Sequence, residues 1–357
     1  MAWHRATILS LRQLSPTTTG LTLKIHPQPT TNISIDSSSS NNNFTFLPGQ
    51  WVDFKPHPSN SSWCHPFEKI GGYSLTSIPQ SLPQFELAIQ RSRHPVAEWA
   101  TVHARVDDVV DVRVGGTFTY ESKSSSAFED DDDDDVAIAA LSSNTDDEQK
   151  HHRLSEESVL PTNNRMLFIA GGVGINPLYS MIRQWSLDQT HAKTKETNTN
   201  NTPRAVLLYS GGSRESLLFV KELEQLMNGK PDQFRVVFTT TTKGQNGNGA
   251  ANNASINGEN RGNLSGGESS GGTIFTEGRI DSVMIGDAVN WLNHSKNMAE
   301  KSKQQQQREL PQKQPSTKIA DAVFVCGPPG MPESMMDILS EEKLVQSTDN
   351  VHFEKWW

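Results

Sequence analysis

The segment Gly171-Gly172-Val173-Gly174-Ile175-Asn176-Pro177 has the residue types of a phosphate cradle. It follows an apolar run at 166–170 and precedes a helical pattern, so its glycines fall where a strand turns into a helix. There they let the backbone turn tightly and approach a diphosphate, while Asn176 can cap the helix and Pro177 suits its first turn. A tight turn without a ligand is the bland alternative. The pattern also departs from the ordinary dinucleotide fingerprint: its third position is Pro177, and the next strand ends in Ser210-Gly211-Gly212 with no acid for a ribose. A second turn, Cys326-Gly327-Pro328-Pro329-Gly330-Met331, follows the apolar run 323–325. Ligands of parallel sheets bind beyond the carboxyl ends of the strands, which brings Cys326 to the edge of the same crevice as Gly172. A lone cysteine in a turn is more often a small buried thiol, and no neighbouring His or helix N-terminus is evident to make it a thiolate. Upstream, Pro48-Gly49-Gln50-Trp51 and Gly71-Gly72-Tyr73-Ser74-Leu75-Thr76-Ser77 are the remaining dense motifs.

In chain order these blocks are Pro-Gly-Gln, Tyr-Ser-x-Thr-Ser, Gly-Gly-x-Gly-x-x-Pro, Cys-Gly-Pro-Pro-x-Met and a terminal Glu-x-aromatic at Phe353-Glu354-Lys355-Trp356-Trp357. Together they resemble the ferredoxin–NADP reductase superfamily and, more narrowly, the oxidoreductase NAD-binding domain-containing protein group. The resemblance spans essentially the whole foldable chain. It implies a flavin-binding barrel, with FAD or FMN as the flavin, followed by a domain for NADH or NADPH. Hydride then passes from nicotinamide C4 to flavin N5, the cofactors performing the chemistry and the protein aligning them. Carried over by position, Tyr73 packs against the isoalloxazine, and Ser74 hydrogen-bonds near N5, with Thr76 in the same motif. Trp356 covers the opposite flavin face and swings away for nicotinamide. Cys326 touches the nicotinamide near its reactive carbon, and Glu354 is a polar or proton-handling neighbour, so Ser74, Cys326 and Glu354 are the catalytic candidates. Gly171, Gly172, Val173, Gly174, Asn176 and Pro177 hold the diphosphate, with Gly327, Pro328 and Met331 completing the nucleotide site.

Two departures from the family pattern stand out. An arginine two residues before the Tyr would neutralise a flavin phosphate, and here that residue is Gly71. The family's second phosphate loop, rich in Gly and ending in Ser or Thr, is replaced by Arg93-His94-Pro95-Val96-Ala97-Glu98-Trp99, leaving Arg91 or Arg93 as substitutes. A 2′-phosphate would call for Arg or Lys after the second or third strand of the second domain. Arg214 and Lys243 are the candidates, but Glu215 adjoins the first and residues 239–242 lack a Ser-Arg pair, which favours NADH. Arg279 resembles a structural feature of the family and is assigned no catalytic role. The leading expectation is a flavin-dependent NAD(P)H oxidoreductase with an unidentified electron acceptor, a protein among the candidates. The alternative is a nicotinamide-nucleotide-binding or sensor protein with weak or lost flavin binding. A reductase subunit for an iron–sulfur oxygenase would require a separate partner.

The elements that must position these residues fall into two groups. Residues 1–120 read as short alternating runs at 6–11, 21–25, 51–54, 73–76, 85–89 and 109–114, the signature of a six-stranded antiparallel barrel, with a helical cap at 96–106. Residues 165–357 alternate strand and helix, with strands at 166–170, 205–209, 234–240, 323–326 and 351–353. Helices follow at 177–185, 215–227, 282–293 and 332–343. That rhythm predicts a doubly wound parallel sheet covered on both faces. Between the two lies an acidic linker, 121–164; stretches 36–43, 190–203, 243–272 and 296–317 are Ser-, Asn-, Gln-, Gly- or Lys-rich. All bury too little apolar area to offset chain entropy and are expected to be disordered.

The chain has 357 residues and a formal charge of −9. The linker carries 13 acids, Asp130 to Asp135 among them, against Lys123, Lys150 and Arg153, so the remainder is close to neutral. No basic groove for nucleic acid is indicated. The acidic run reads more readily as solvated than as a docking site for a basic partner. Two cysteines, Cys64 and Cys326, cannot make an iron–sulfur centre or a Cys-rich zinc site, and a disulfide framework is implausible. The apolar run 166–175 is about half the length of a membrane span, so no membrane span is expected. Arg5, Arg12, Lys24 and the lack of acids before Asp36 match a mitochondrial transit composition, and the resemblance also implies mitochondria. A first strand from about Ala6 leaves no room for a removable presequence, so mitochondrion and cytoplasm both stand; secretion is not expected.

Overall fold

The computed structural model describes residues 2–27, 44–60, 62–63, 69–121, 165–192, 202–241, 274–293 and 319–355. Asp130 to Asp135, Cys64, Lys243, Trp356 and most of the low-complexity stretches lie outside the described residues.

Six strands form the first sheet: β1 (His4–Ser15), β2 (Thr18–Ile25), β3 (Trp51–Pro56), β4 (Gly71–Ser74), β5 (Gln84–Gln90) and β6 (Val109–Gly115). Their order is β4-β3-β6-β1-β2-β5, every pairing antiparallel, and a bridge from Leu75 to Leu87 joins the two outer strands into a barrel. Alternation explains the interior: Ala6, Ile8, Leu21, Leu23, Val52, Phe54, Phe85, Leu87, Val110 and Val112 face inward and are buried. Pro16 and Thr17 make the tight turn between β1 and β2. The helical cap is α1 (Pro95–Glu98) continued by a π-helical turn, Trp99–His103. It seats the buried Trp99 edge-on to Trp63 at 6.0 Å, and Trp99 Nε1 donates to Ser62 Oγ at 3.1 Å. The Pro-Gly-Gln block has a structural meaning here. Gln50 Oε1 accepts from Leu47 N at 2.8 Å, and Nε2 donates to Gly116 O at 2.9 Å, fastening the loop into β3 to the end of β6.

The second sheet contains β7 (Arg165–Gly171), β8 (Arg204–Gly211), β9 (Phe234–Thr240), β10 (Ile274–Glu277), β11 (Ala322–Gly327) and β12 (Val351–Lys355). Its order is β10-β9-β8-β7-β11-β12 and every pairing is parallel. Helices α2 (Ile175–Ala192) and α3 (Val220–Gly229) pack on one face, with Phe168, Ala170, Tyr209 and Phe238. Helices α4 (Ser282–Asn293) and α5 (Met331–Glu341) cover the other, over Leu167, Ile169, Val206 and Val323. A sheet buried on both faces accounts for the nearly continuous apolar runs of β7, β8 and β11. The antiparallel barrel and doubly wound parallel sheet predicted from the sequence are thus both present.

Two details differ. Strand β10, four residues at the edge of the sheet, was not anticipated, because Ile-Phe-Thr-Glu is too short to register as a periodic run. Helix α3 begins at Val220 instead of 215. Arg214–Ser216 form a separate 3-10 turn closed by Ser213 and Ser216, and Phe219 takes the left-handed conformation (φ 58°) that breaks the chain direction.

Helix α2 fixes the second sheet to the barrel. Asn176, Ser180 and Arg183 lie on one stripe of the helix, and all three bond the barrel. Asn176 Nδ2 donates to Ala88 O at 2.8 Å and Ser180 Oγ to Ser77 O at 2.5 Å. Arg183 Nη1 donates to Thr76 O at 3.1 Å and Glu86 Oε2 at 2.7 Å. Further along, Tyr120 Oη donates to Asp188 at 3.1 Å, and Ala88, Phe118 and Tyr120 enter the α2 core. The helix that starts at the glycine turn is therefore the one that registers the two domains.

Candidate functional site

Strand β7 lies between β8 and β11, so the chain reverses its winding direction there, at the carboxyl ends where ligands of such sheets bind. A cavity of about 1180 Å³ opens at this point. Its walls are the glycine turn 171–174, Ser210 to Gly212 after β8, Thr241 after β9, Gly327 to Met331 after β11, and Arg279, Ile280 and Asp281 before α4. Gly172 has φ +54°, and a Cβ there would touch nothing within 4 Å. The glycine is needed for the turn, and the space beside it is open to a ligand. Gly174 is different: a Cβ would fall 2.2 Å from Cys326 O and 2.5 Å from Cys326 C. The two turns that form the cavity floor meet backbone to backbone at this point.

A second cavity, of about 840 Å³, lies where the barrel meets the parallel sheet. Trp51, Asp53 and residues 70–74 come from the barrel, Val173 from the glycine turn, Asn176 from the start of α2, and Phe353, Glu354 and Lys355 from β12. Both cavities are walled by Gln90 and Val173, so they adjoin.

The polar chemistry of the second cavity is incomplete within the protein. Ser74 Oγ, Asn176 Oδ1 and Glu354 Oε2 are buried and have no hydrogen-bond partner, yet all three residues border the same space. Buried polar atoms are ordinarily satisfied, and three orphans converging on one cavity are the mark of a ligand with complementary groups. Burial raises the Glu354 carboxyl from 4.5 to about 7, so this acid changes protonation state near neutral pH. Tyr73 lies edge-on to Phe54 at 5.7 Å, and burial raises its phenol above the ordinary value. Its ring folds back over Gly71, with Oη 2.5 Å from the point a Cβ at residue 71 would take.

The structure gathers Tyr73, Ser74, Val173, Asn176 and Glu354 at the second cavity, and Gly171, Gly172, Val173, Gly174, Gly327, Pro328 and Met331 at the first. Cys326 pairs in register with Ala170 on one side and Glu354 on the other, but its side chain is fully buried among the core under α2 and lines neither cavity. Thr76 is also buried, its amide bonded to Glu86 O and its carbonyl to Arg183, and Pro177 sits within α2; neither lines a cavity. Trp356 lies outside the described residues. Arg91 and Arg93 are exposed and line neither cavity. The Arg214 guanidinium stacks on Phe275 at 4.4 Å and is likewise absent from the walls. Asp53, Gln90, His94, Lys355 and Arg279 line the cavities without having been singled out as ligand contacts. Asp53, Gln90 and Lys355 reach the walls through strand register, and His94 and Arg279 through the loops before α1 and α4.

Replacing Ser74 by alanine tests the orphan interpretation. A hydroxyl with no partner contributes nothing to the protein's own stability, so S74A is expected to melt at or slightly above the wild-type temperature. Affinity for a ligand that bonds this hydroxyl falls about tenfold, for one lost hydrogen bond of about 1.4 kcal/mol. Thermal melts and a ligand titration on the same samples check both halves.

Residues 168–259 match the family model described as an oxidoreductase NAD-binding domain. The chain is 25% identical over 317 residues to oxidoreductase NAD-binding domain-containing protein 1 of Bos taurus, covering 88% of this chain and 72% of that protein. Over 81 residues it is 40% identical to NADH-cytochrome b5 reductase 2-A of Vanderwaltozyma polyspora, 22% of this chain and 24% of that one. Among solved structures, a ferredoxin NADP+ reductase from Neisseria gonorrhoeae with bound FAD and NADP shares the fold, with a TM-score of 0.56 at 13% identity over 100% of both chains.

Proposed function

We propose, from a chain that carries an oxidoreductase NAD-binding domain on a ferredoxin reductase-like fold, that this protein is a flavin-dependent NAD(P)H oxidoreductase. It takes hydride from the reduced nicotinamide nucleotide and passes electrons to an acceptor that the sequence does not identify. The observation that carries the proposal is the meeting of the two cavities at Gln90 and Val173, with three unsatisfied polar groups in one and a glycine-built turn in the other.

A nucleotide diphosphate suits the first cavity. Gly172 leaves open space at the head of the 18-residue helix α2, where helix N–H groups favour an anion, and Arg279 adds a cation to the wall. NADH is favoured over NADPH. Asp281, Glu341 and Glu342 also border the cavity and would repel a 2′-phosphate, while Arg214 is held on Phe275. A flavin ring suits the second cavity, where its edge of alternating acceptors and N–H donors matches a hydroxyl, an amide oxygen and a carboxyl.

When bound, the flavin supplies the two-electron chemistry. The protein's part is orientation and proton handling. Ser74 Oγ would donate to a ring acceptor and Asn176 Oδ1 would accept from a ring N–H, while Tyr73 and Trp51 wall the space with aromatic surface. Glu354, half protonated near neutral pH, holds or gives up a proton at Oε2. Cys326 stands in register beside Glu354 on the neighbouring strand, with its side chain buried in the core under α2. Turnover of NADH with added flavin and an artificial acceptor, measured against free flavin alone, tests the proposal. A rate no higher than the free-flavin blank rejects it.

A second reading, a nucleotide-binding protein without flavin, draws support from the acidic wall of the barrel cavity, where Asp53 and Glu354 face the space. NADH binding with no flavin binding would select it.

A further inference from the structure

We infer that the barrel cavity takes a flavin by its ring alone, with no anchor for phosphate among the described residues, so that riboflavin, FMN and FAD are exchangeable ligands of comparable affinity. This rests on the flavin assignment above and goes further, to how the flavin is held. The ring end of the cavity is furnished: Ser74, Asn176 and Glu354 present unsatisfied polar atoms and Tyr73 offers an aromatic face.

The phosphate end is not. A buried phosphate needs cations or N–H donors, and among the described residues that line this cavity Asp53 and Lys355 are already paired, which leaves the His94 imidazole in the wall and no arginine. Arg113 donates twice to Asp53 Oδ2, at 2.9 and 2.5 Å, and lies over the Trp3 ring at 4.8 Å. Lys355 is ion-paired to Glu333. The helical turn after His94 starts with Pro95, which has no N–H, and carries Glu98 in its first turn, opposing an anion there. Gly71, the strand position beside Tyr73 on the same face, offers no side chain, and the Tyr73 ring fills the space one would occupy. The contrast with the neighbouring cavity, which has Arg279, an open glycine turn and the start of an 18-residue helix, is within one molecule.

The test is a fluorescence titration of the full-length protein with riboflavin, FMN and FAD at low and high salt. The expected result is three dissociation constants within about threefold of one another and little change with salt, since no ion pair forms. FAD or FMN binding about 100-fold tighter than riboflavin would overturn the inference and leave the flavin assignment standing. No binding of any of the three, in protein that still binds NADH, would overturn both. The G71R variant supplies the missing guanidinium and pushes the Tyr73 ring aside, a change shared by all three flavins. FAD and FMN are then expected to gain about tenfold over riboflavin, the value of one charge-assisted bond. An equal gain or loss for all three flavins would contradict the account of the phosphate end.

Discussion

Substituting alanine for Gly174 is expected to weaken NADH binding about 100-fold and to lower stability by about 1–3 kcal/mol. The added methyl would lie 2.2 Å from Cys326 O, 2.5 Å from Cys326 C and 2.8 Å from Gly327 N. All three are backbone atoms, so no rotamer change relieves the contact. The glycine turn and the turn after β11 must part by roughly 1 Å to reach ordinary van der Waals separation. A misplacement of that size at a binding turn is enough for a hundredfold loss. Gly286 on α4 is the control. A Cβ there meets nothing within 4 Å, so G286A should be neutral or stabilise the helix by up to about 1 kcal/mol. Calorimetric titration with NADH and thermal melts of both variants measure the effect. A G174A protein that binds NADH like the wild type would show that the two turns do not form the nucleotide site.

The Glu354→Gln variant is expected to change two pH profiles at once. The folded carboxyl titrates at about 7 against an ordinary 4.5, because it is buried. In the unfolded chain it is already ionised at pH 5 and above, whereas the folded protein keeps its proton to near 7. Folding therefore takes up a proton in this window. The wild type's stability contribution from Glu354 is intact below about 4.5, declines as pH rises through 7, and stays low above it. The difference amounts to at most about 3 kcal/mol, less for the part of the side chain that meets solvent. Glutamine removes the pH dependence. E354Q and wild type should melt alike at pH 4.5, and E354Q should melt several degrees higher at pH 8. Its NADH turnover should fall about 100-fold and lose the wild-type inflection near neutrality, the usual scale for losing a general acid. Equal melting at both pH values would remove the buried-carboxylate assignment; unchanged turnover would remove Glu354 from the chemistry.

What the sequence made legible was local. The glycine turn at 171–174, the Tyr73-Ser74 pair and the alternating strand-helix rhythm are written in contiguous residues, and the structure puts each at a cavity wall or in a sheet. What it concealed depends on register or on the contact between domains. Asn176 reads as a helix cap. Instead its Nδ2 bonds Ala88 O in the barrel, leaving Oδ1 unpaired at the second cavity. Arg113 and Asp53 are far apart in sequence and meet only because β3 and β6 are neighbours. Cys326 reads as a rim residue because its strand ends at the crevice, but strand alternation turns its side chain inward beneath α2. Arg214 looks like a phosphate ligand until Phe275, on the short strand β10, captures it.

The most direct measurement of the central claim is anaerobic mixing of NADH with the protein carrying added flavin, followed in the visible flavin band. The band is expected to bleach much faster than with free flavin, and faster with NADH than with NADPH. A band that persists, or that fades at the rate of free flavin, would contradict hydride transfer between the two cavities.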